Sequence, residues 1–186
     1  MKNFVYIATS LDGLIATSDG GIDWLMEIPN PQKSDYGYAE FISQIDAIVM
    51  GRKTFEKVLS FGGEWAYDKP VFVLSKTLSE IPEIVAGKVE LINGSIKRVL
   101  SQLHEKGYEN LYIDGGKTIQ SFLEEDLIDE LIITTVPILL GNGYPLFSEL
   151  NKSLKFTHKK QIFMKTVSLK TNILEIDNEY NVEDMR

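Results

Sequence analysis

No cysteine occurs among the 186 residues, which excludes disulfides, thiolate nucleophiles and Cys-ligated metals. His104 and His158 are the only histidines, too little imidazole for a histidine metal site or a Ser-His-Asp triad. No metal site is expected. No apolar run approaches the roughly 20 residues that span a bilayer. Met1-Lys2-Asn3-Phe4 leads directly into a strand-like segment, without the apolar run and cleavage site of a signal peptide. A cytoplasmic protein is therefore expected. Positive charge is scarce: 19 Lys and Arg face 27 Asp and Glu, a net charge of −8. That balance argues against nucleic acid or an anionic membrane as partner. It leaves room for a small anion in a local basic pocket. Two phosphate-binding patterns are also missing, Gly-x-Gly-x-x-Gly and the Walker-type loop.

What is present is an α/β pattern. The length and a 44% hydrophobic content suit a single domain with a sizeable core. Apolar runs at 4–9, 45–49, 71–74, 89–92, 111–113 and 131–136 read as strands. Helical spacing marks 35–44, the segment from Thr54, the segment from Ser95 to a stop at Gly107, and the segment after Gly116. Such alternation implies right-handed crossovers and a mostly parallel sheet with helices on both faces. Residues 161–169 and 172–177 read as closing strands around a turn near Lys170-Thr171, an antiparallel edge. Residues 1–178 form the expected domain and 179–186 a polar tail. Residues 10–16 read as a turn with apolar anchors, and 137–147 as a long irregular connection.

Chemistry gathers at three strand ends. Gly51-Arg52-Lys53-Thr54, Ser75-Lys76 and Gly115-Gly116-Lys117-Thr118 each combine small, hydroxyl or basic residues. In a parallel sheet these ends share one edge, where open α/β sheets bind ligands. Helix N-termini, close backbone approach at glycine and an arginine fork all suit phosphate. Each stretch alone also reads as an ordinary turn or helix start. Together they suggest an extended ligand with more than one phosphate, such as a dinucleotide. The loop Thr17-Ser18-Asp19-Gly20-Gly21 with Trp24 at its base reads either as a mobile cover over a site or as a surface loop with a core Trp. Asp35 stands at a helix start, either as a capping acid or as a carboxylate aimed into a pocket.

Met50-Gly51-Arg52-Lys53-Thr54-Phe55, Val73-Leu74-Ser75 and Ile113-Asp114-Gly115-Gly116 resemble dihydrofolate reductases in order and spacing. Ser10-Leu11-Asp12-Gly13-Leu14-Ile15-Ala16 with Asp23-Trp24, 127–131 and 137–147 resemble the reductase domain of bifunctional riboflavin-biosynthesis deaminase-reductases, in a stand-alone form. The resemblance implies a dihydrofolate-reductase-like fold, NADPH as hydride donor and a homodimer. It implies that Ala8 and Ile15 border the nicotinamide. It gives the 2′-phosphate to Arg52, Ser75 and Lys76, beside Leu74. It gives the pyrophosphate to Lys53, Thr54 and the turn of Gly115, Gly116, Lys117 and Thr118, with Gly51 at the close approach.

Asp35 lies sixteen positions before Gly51, the spacing of the substrate carboxylate in dihydrofolate reductases, and Thr134 matches their pocket threonine. The resemblance thus casts Asp35 as the catalytic acid, with Trp24 and Thr134 also on the substrate. No arginine occurs between Arg52 and Arg98, where dihydrofolate reductases clamp the glutamate tail of folate. The strand-end motif also differs from that of riboflavin-pathway reductases, and their cysteine-ligated zinc deaminase half is not present in this sequence. The expected activity is NADPH-dependent hydride transfer to a small heterocycle, a pterin or an aminopyrimidine. The alternatives are an NADP(H)-binding sensor or stress protein without turnover, and an interaction domain whose glycine turns are only turns.

Overall fold

Alternation within the apolar runs assigns each strand residue to one of two cores. The computed structural model describes residues 1–163 and 169–175. Strands β1 (Lys2–Thr9), β3 (Ala47–Gly51), β4 (Val71–Leu74), β5 (Val89–Ile92), β6 (Asn110–Asp114) and β7 (Glu130–Thr135) pair in parallel, in the order β5-β4-β3-β6-β1-β7. Val5, Ala47, Val49, Phe72, Leu111, Ile113 and Leu131 point to one face. There α3 (Ile96–Glu105) and α4 (Gly116–Glu124) cover them with Val99, Leu103, Ile119 and Phe122. Phe4, Ile48, Met50, Val71, Val73, Tyr112 and Ile132 point to the other. That face is covered by Phe41 of α1 (Tyr38–Ser43) and Phe55 of α2 (Arg52–Ser60). Strands buried on both faces read as continuous apolar runs, which is why the sequence shows them so plainly.

The expected sheet, with helices on both faces, is the observed one. The antiparallel edge is present too: β10 (Leu169–Glu175) pairs with β7, and β9 (Phe156–Phe163) pairs with β10. Its bounds differ from the expectation. Lys170 and Thr171 lie inside β10 and pair with Thr134 and Ile133, so the turn does not fall there. The tail at 179–186 and the domain limit at 178 lie outside the described residues.

Three further differences bear on the site. Residues 10–16 are not only a turn, because β2 (Leu14–Thr17) pairs antiparallel with β8 (Gly143–Pro145) from the connection read as irregular. Both segments are too short to show a period. Strand β3 extends to Gly51, paired with Leu74, and α2 begins at Arg52 rather than Thr54. Gly51 is extended, with φ −80° and ψ 161°, so it continues the ladder instead of breaking it. Helix α1 is shorter than 35–44, because Gly37 with φ 84° starts it. By contrast, α3 follows the sequence closely. The Ser95 side chain accepts from Arg98 N at its start, and Gly107 closes it.

Candidate active site

Two helix starts converge at the carboxyl edge of the parallel strands. A Cβ on Gly51, which precedes α2, would stand 2.8 Å from Thr118 Oγ1 of α4. A Cβ on Gly115, which precedes α4, would collide with the Thr54 side chain of α2. Each helix thus admits the other through a glycine and meets it with a threonine. Gly115 also has φ 89°, a conformation that favours glycine. A Cβ on Gly116 would lie 2.7 Å from Ile15 Cδ1, so β2 borders the same place. Neither α2 nor α4 has a side-chain N-cap. Their first-turn N–H groups therefore face the edge without an intrahelical acceptor.

Six expected residues come together here: Ile15, Gly51, Thr54, Gly115, Gly116 and Thr118. The charged ones stand at the rim, where Arg52, Lys53, Lys76 and Lys117 are exposed. Arg52 Nε is 3.6 Å from Glu56 Oε1, one turn on. Lys53 Nζ lies 5.5 Å from the centre of the Tyr144 ring, joining α2 to β8. Ser75 Oγ accepts from Thr77 N and Leu78 N at 3.2 and 2.9 Å. Leu74 is partly buried beside Gly51.

A second region opens between β1 and β6. Their ladder runs from Lys2↔Asn110 to Phe4↔Tyr112, whereas β1 stays paired with β7 as far as Thr9↔Thr135. Beyond the split, Tyr6 and Ala8 stand on one bank and Asp114, Gly115 and Gly116 on the other. Tyr112 Oη donates to Tyr6 O at 2.9 Å and so satisfies a carbonyl next to the end of the ladder. Ala8 and Thr134 are register partners. Alternation puts Tyr6, Ala8, Tyr112, Asp114 and Thr134 on the face covered by α1 and α2.

Asp35 is exposed, and its two carboxylate oxygens accept from Gly37 N and Ala39 N at 2.9 Å each. This is a helix-start acid at work. It is also close enough to the Tyr6 phenol to help raise its pKa to about 12, after burial. Tyr6 Oη donates to Tyr36 O at 2.9 Å, and its ring stacks on Phe41 at 4.7 Å between centres. Trp24 is buried in a short 3-10 turn, Asp23–Leu25. Trp65 packs edge-on between Phe55 and Tyr67.

Sequence reasoning missed Asp114 as a site residue. Asp114 ends β6 on the aromatic face and is partly buried. Burial pushes its pKa up to about 6, against the opposing pull of Gly115 N–H and the Tyr112 and Tyr67 hydroxyls. The signal was available: Asp114 stands two residues after Tyr112 in a strand, hence on the same buried face.

The family model of the RibD C-terminal domain matches residues 4–168. The chain belongs to the RibD C-terminal domain family. Bacillus subtilis YwjB, an uncharacterized protein, is 37% identical over 160 residues, covering 85% of this chain and 89% of YwjB. The crystal structure of a candidate riboflavin biosynthesis protein from Shewanella sp. PV-4 is 48% identical, with a TM-score of 0.92, covering 95% of this chain and all of that one. A Thermotoga maritima deaminase/5-amino-6-(5-phosphoribosylamino)uracil reductase shares the fold at 17% identity and a TM-score of 0.72, matching 56% of its own chain. An Enterococcus faecalis dihydrofolate reductase complexed with NADP(H) shares it at 16% identity and 0.66, covering 95% of this chain and 97% of that one. The dihydrofolate-reductase-like fold is thereby established, and a reductase role has family support.

In this RibD-type domain two of the more specific motifs, 10–16 and 137–147, meet in space. Asp12 accepts from Ser10 Oγ at 2.6 Å, from Leu140 N at 3.1 Å and from Gly141 N at 2.7 Å. Leu11 N donates to Ile138 O, and Leu146 N to Gly13 O. These bonds, the Ser10 hydroxyl first, hold the Asp12 carboxyl down at about 2. The knot places the β2–β8 ribbon, and Gln120 Nε2 donating to Pro145 O at 2.9 Å fastens it to α4. No helix among the described residues is long and apolar enough to cross a membrane. Among the same residues, no group of His, Asp or Glu is arranged to hold a metal.

Proposed function

We propose that this RibD-type domain is an NADPH-dependent reductase acting on a small heterocycle, a pterin or an aminopyrimidine. One observation carries the reading: the uncapped starts of α2 and α4 converge, with Gly51 and Gly115 keeping side-chain bulk out between them. Two N-termini aimed at one edge fit a diphosphate. Gly51, Lys53, Thr54 and the turn of Gly115, Gly116, Lys117 and Thr118 would hold it. Arg52, Ser75 and Lys76 would hold the 2′-phosphate, with Leu74 alongside. Ala8 and Ile15 would border the nicotinamide, which when bound supplies the hydride. Trp24, Asp35 and Thr134 would line the substrate side. The chain's own work is to bind, orient and exclude water. The reading includes a cytoplasmic homodimer with a small-molecule substrate, and neither nucleic acid nor membrane as partner.

The test is titration with NADPH and NADH, read by quenching of Trp24 and Trp65 fluorescence. Preference for NADPH is expected. Arg52→Ala should weaken NADPH by about 10-fold or more, the size of a lost charged hydrogen bond, and leave NADH nearly unchanged. Equal loss for both removes the 2′-phosphate role. Binding of neither withdraws the reductase reading. A second reading, an NADP(H)-binding sensor without turnover, is favoured by Asp35, whose oxygens both serve the start of α1. NADPH binding without oxidation across pterins and aminopyrimidines would select it.

A further inference from the structure

We propose that Tyr144 is a positioning residue for the diphosphate of the cofactor, its ring holding the Lys53 ammonium between the starts of α2 and α4. The inference rests on the reductase reading above and adds a residue to which the strand-end motifs give no role. Tyr144 stands in β8 and pairs with Ala16 of β2. Its neighbours pin the ribbon on both sides. Gly143 lets β8 approach β2 closely, since a Cβ there would overlap Ala16 O. Pro145 O accepts from Gln120 Nε2 of α4 at 2.9 Å and would lie 3.8 Å from a Cβ on Gly116. The ribbon is thus fastened to the start of α4. From there the Tyr144 ring meets the first turn of α2, with Lys53 Nζ 5.5 Å from its centre. One aromatic contact therefore links the two helix starts that converge at the carboxyl edge.

The chemistry of the contact suits an anion site. A lysine at a helix start carries its charge on a flexible stem, and ordering that stem on binding costs entropy. Helical side chains lean back toward the N-terminus, which directs Lys53 to the edge where the helix begins. An aromatic face attracts an ammonium through its quadrupole and leaves the charge intact. A carboxylate in the same place would cancel that charge before a phosphate arrived. Arg52 shows the contrast, because its Nε lies 3.6 Å from Glu56 Oε1. The Tyr144 side therefore offers a lysine that is ordered in advance and still fully cationic. Tyr144 itself is 40% exposed, so its ring serves the contact more than the core.

The role has a distinct signature. NADPH and NADH share the diphosphate, so a residue that orders Lys53 acts on both alike. Arg52, set toward the 2′-phosphate, acts on NADPH alone. A ring that acts through Lys53 has nothing to contribute once Lys53 is removed, whereas a ring that touches the nucleotide directly keeps its effect.

The test is a double-mutant cycle of Tyr144→Leu and Lys53→Ala, titrated with NADPH and with NADH by tryptophan fluorescence. Tyr144→Leu should weaken both nucleotides equally, by about 2- to 5-fold, the worth of an exposed cation–π contact. Lys53→Ala should weaken both by about 10-fold or more, the size of a lost charged hydrogen bond. The double variant should bind no more weakly than Lys53→Ala alone. Tyr144→Phe, which keeps the ring, should bind as the wild type does. In the free protein, NMR should show the Lys53 ε-CH2 protons shifted upfield by the ring and returned to ordinary positions in Tyr144→Leu. Unchanged affinity in Tyr144→Leu overturns the proposal. So does a loss confined to NADPH, which would place Tyr144 at the 2′-phosphate. Losses that add in the double variant overturn it as well, and so does a Tyr144→Phe variant as weak as Tyr144→Leu, since the hydroxyl would then touch the ligand. A wild type that binds neither nucleotide refutes the cofactor reading itself.

Discussion

Two aspartates carry opposite pH signatures. Asp114 has its pKa raised in the folded state to about 6, chiefly by burial. Its contribution is fully present below the ordinary carboxylate range and is lost as pH rises through 6. Asp12 has its pKa lowered to about 2 by accepted hydrogen bonds. Its contribution is present above the ordinary range and is lost as pH falls toward 2. Asp114→Asn should therefore raise Tm at pH 8 by on the order of 2–4 °C, the shift that 1 kcal/mol produces in a domain of this size. The gain should shrink at pH 5. Asp12→Asn should lower Tm at pH 7, with the difference narrowing at pH 3. Thermal unfolding followed by circular dichroism checks both. At this scale the sequence was least informative. Asp35 carried the familiar spacing and caps a helix, while Asp114 stood in a glycine motif and holds the buried carboxyl. Spacing names a residue's place in the chain, and burial depends on what packs against it from elsewhere.

The decisive contact between elements is α2 against α4. Gly115→Ala would add a Cβ at φ 89° directly into Thr54. It should destabilise the domain by about 1–3 kcal/mol, the usual cost of a forced backbone. It should also weaken NADPH by pushing the two helix starts apart. Urea unfolding and the NADPH titration read the two effects, and an unchanged midpoint would show that the helices do not need this approach. Helix α3 was legible because its cap, its apolar stripe and its stop all lie within one stretch. The β2–β8 ribbon was not legible, because two short segments acquire strand geometry only from each other and from the knot at Asp12.

For the whole molecule, the two cores lie on opposite faces of one sheet, and the order β5-β4-β3-β6-β1-β7 leaves β6 between β3 and β1. Exposed Leu11, Leu139 and Phe147 flank the knotted loops. Sedimentation velocity tests the proposed homodimer: a species of twice the 21.0 kDa chain mass is expected, and a monomer throughout the micromolar range removes that part of the proposal.

The sequence by itself determined the layers and the chemistry of the edge. Doubly buried strands must be apolar runs, helices facing a sheet must be amphipathic, and glycine, hydroxyl and basic residues at strand ends share one edge once the strands are parallel. Tertiary structure alone decided how those ends meet. It set Gly51 against Thr118 and Gly115 against Thr54, and it parted β1 from β6 beyond Tyr112. It also gathered tyrosines of α1, β6 and the loop after α2 around Asp114. These are contacts between residues far apart in the chain, and no local pattern records them because the energy that selects them arises only on packing.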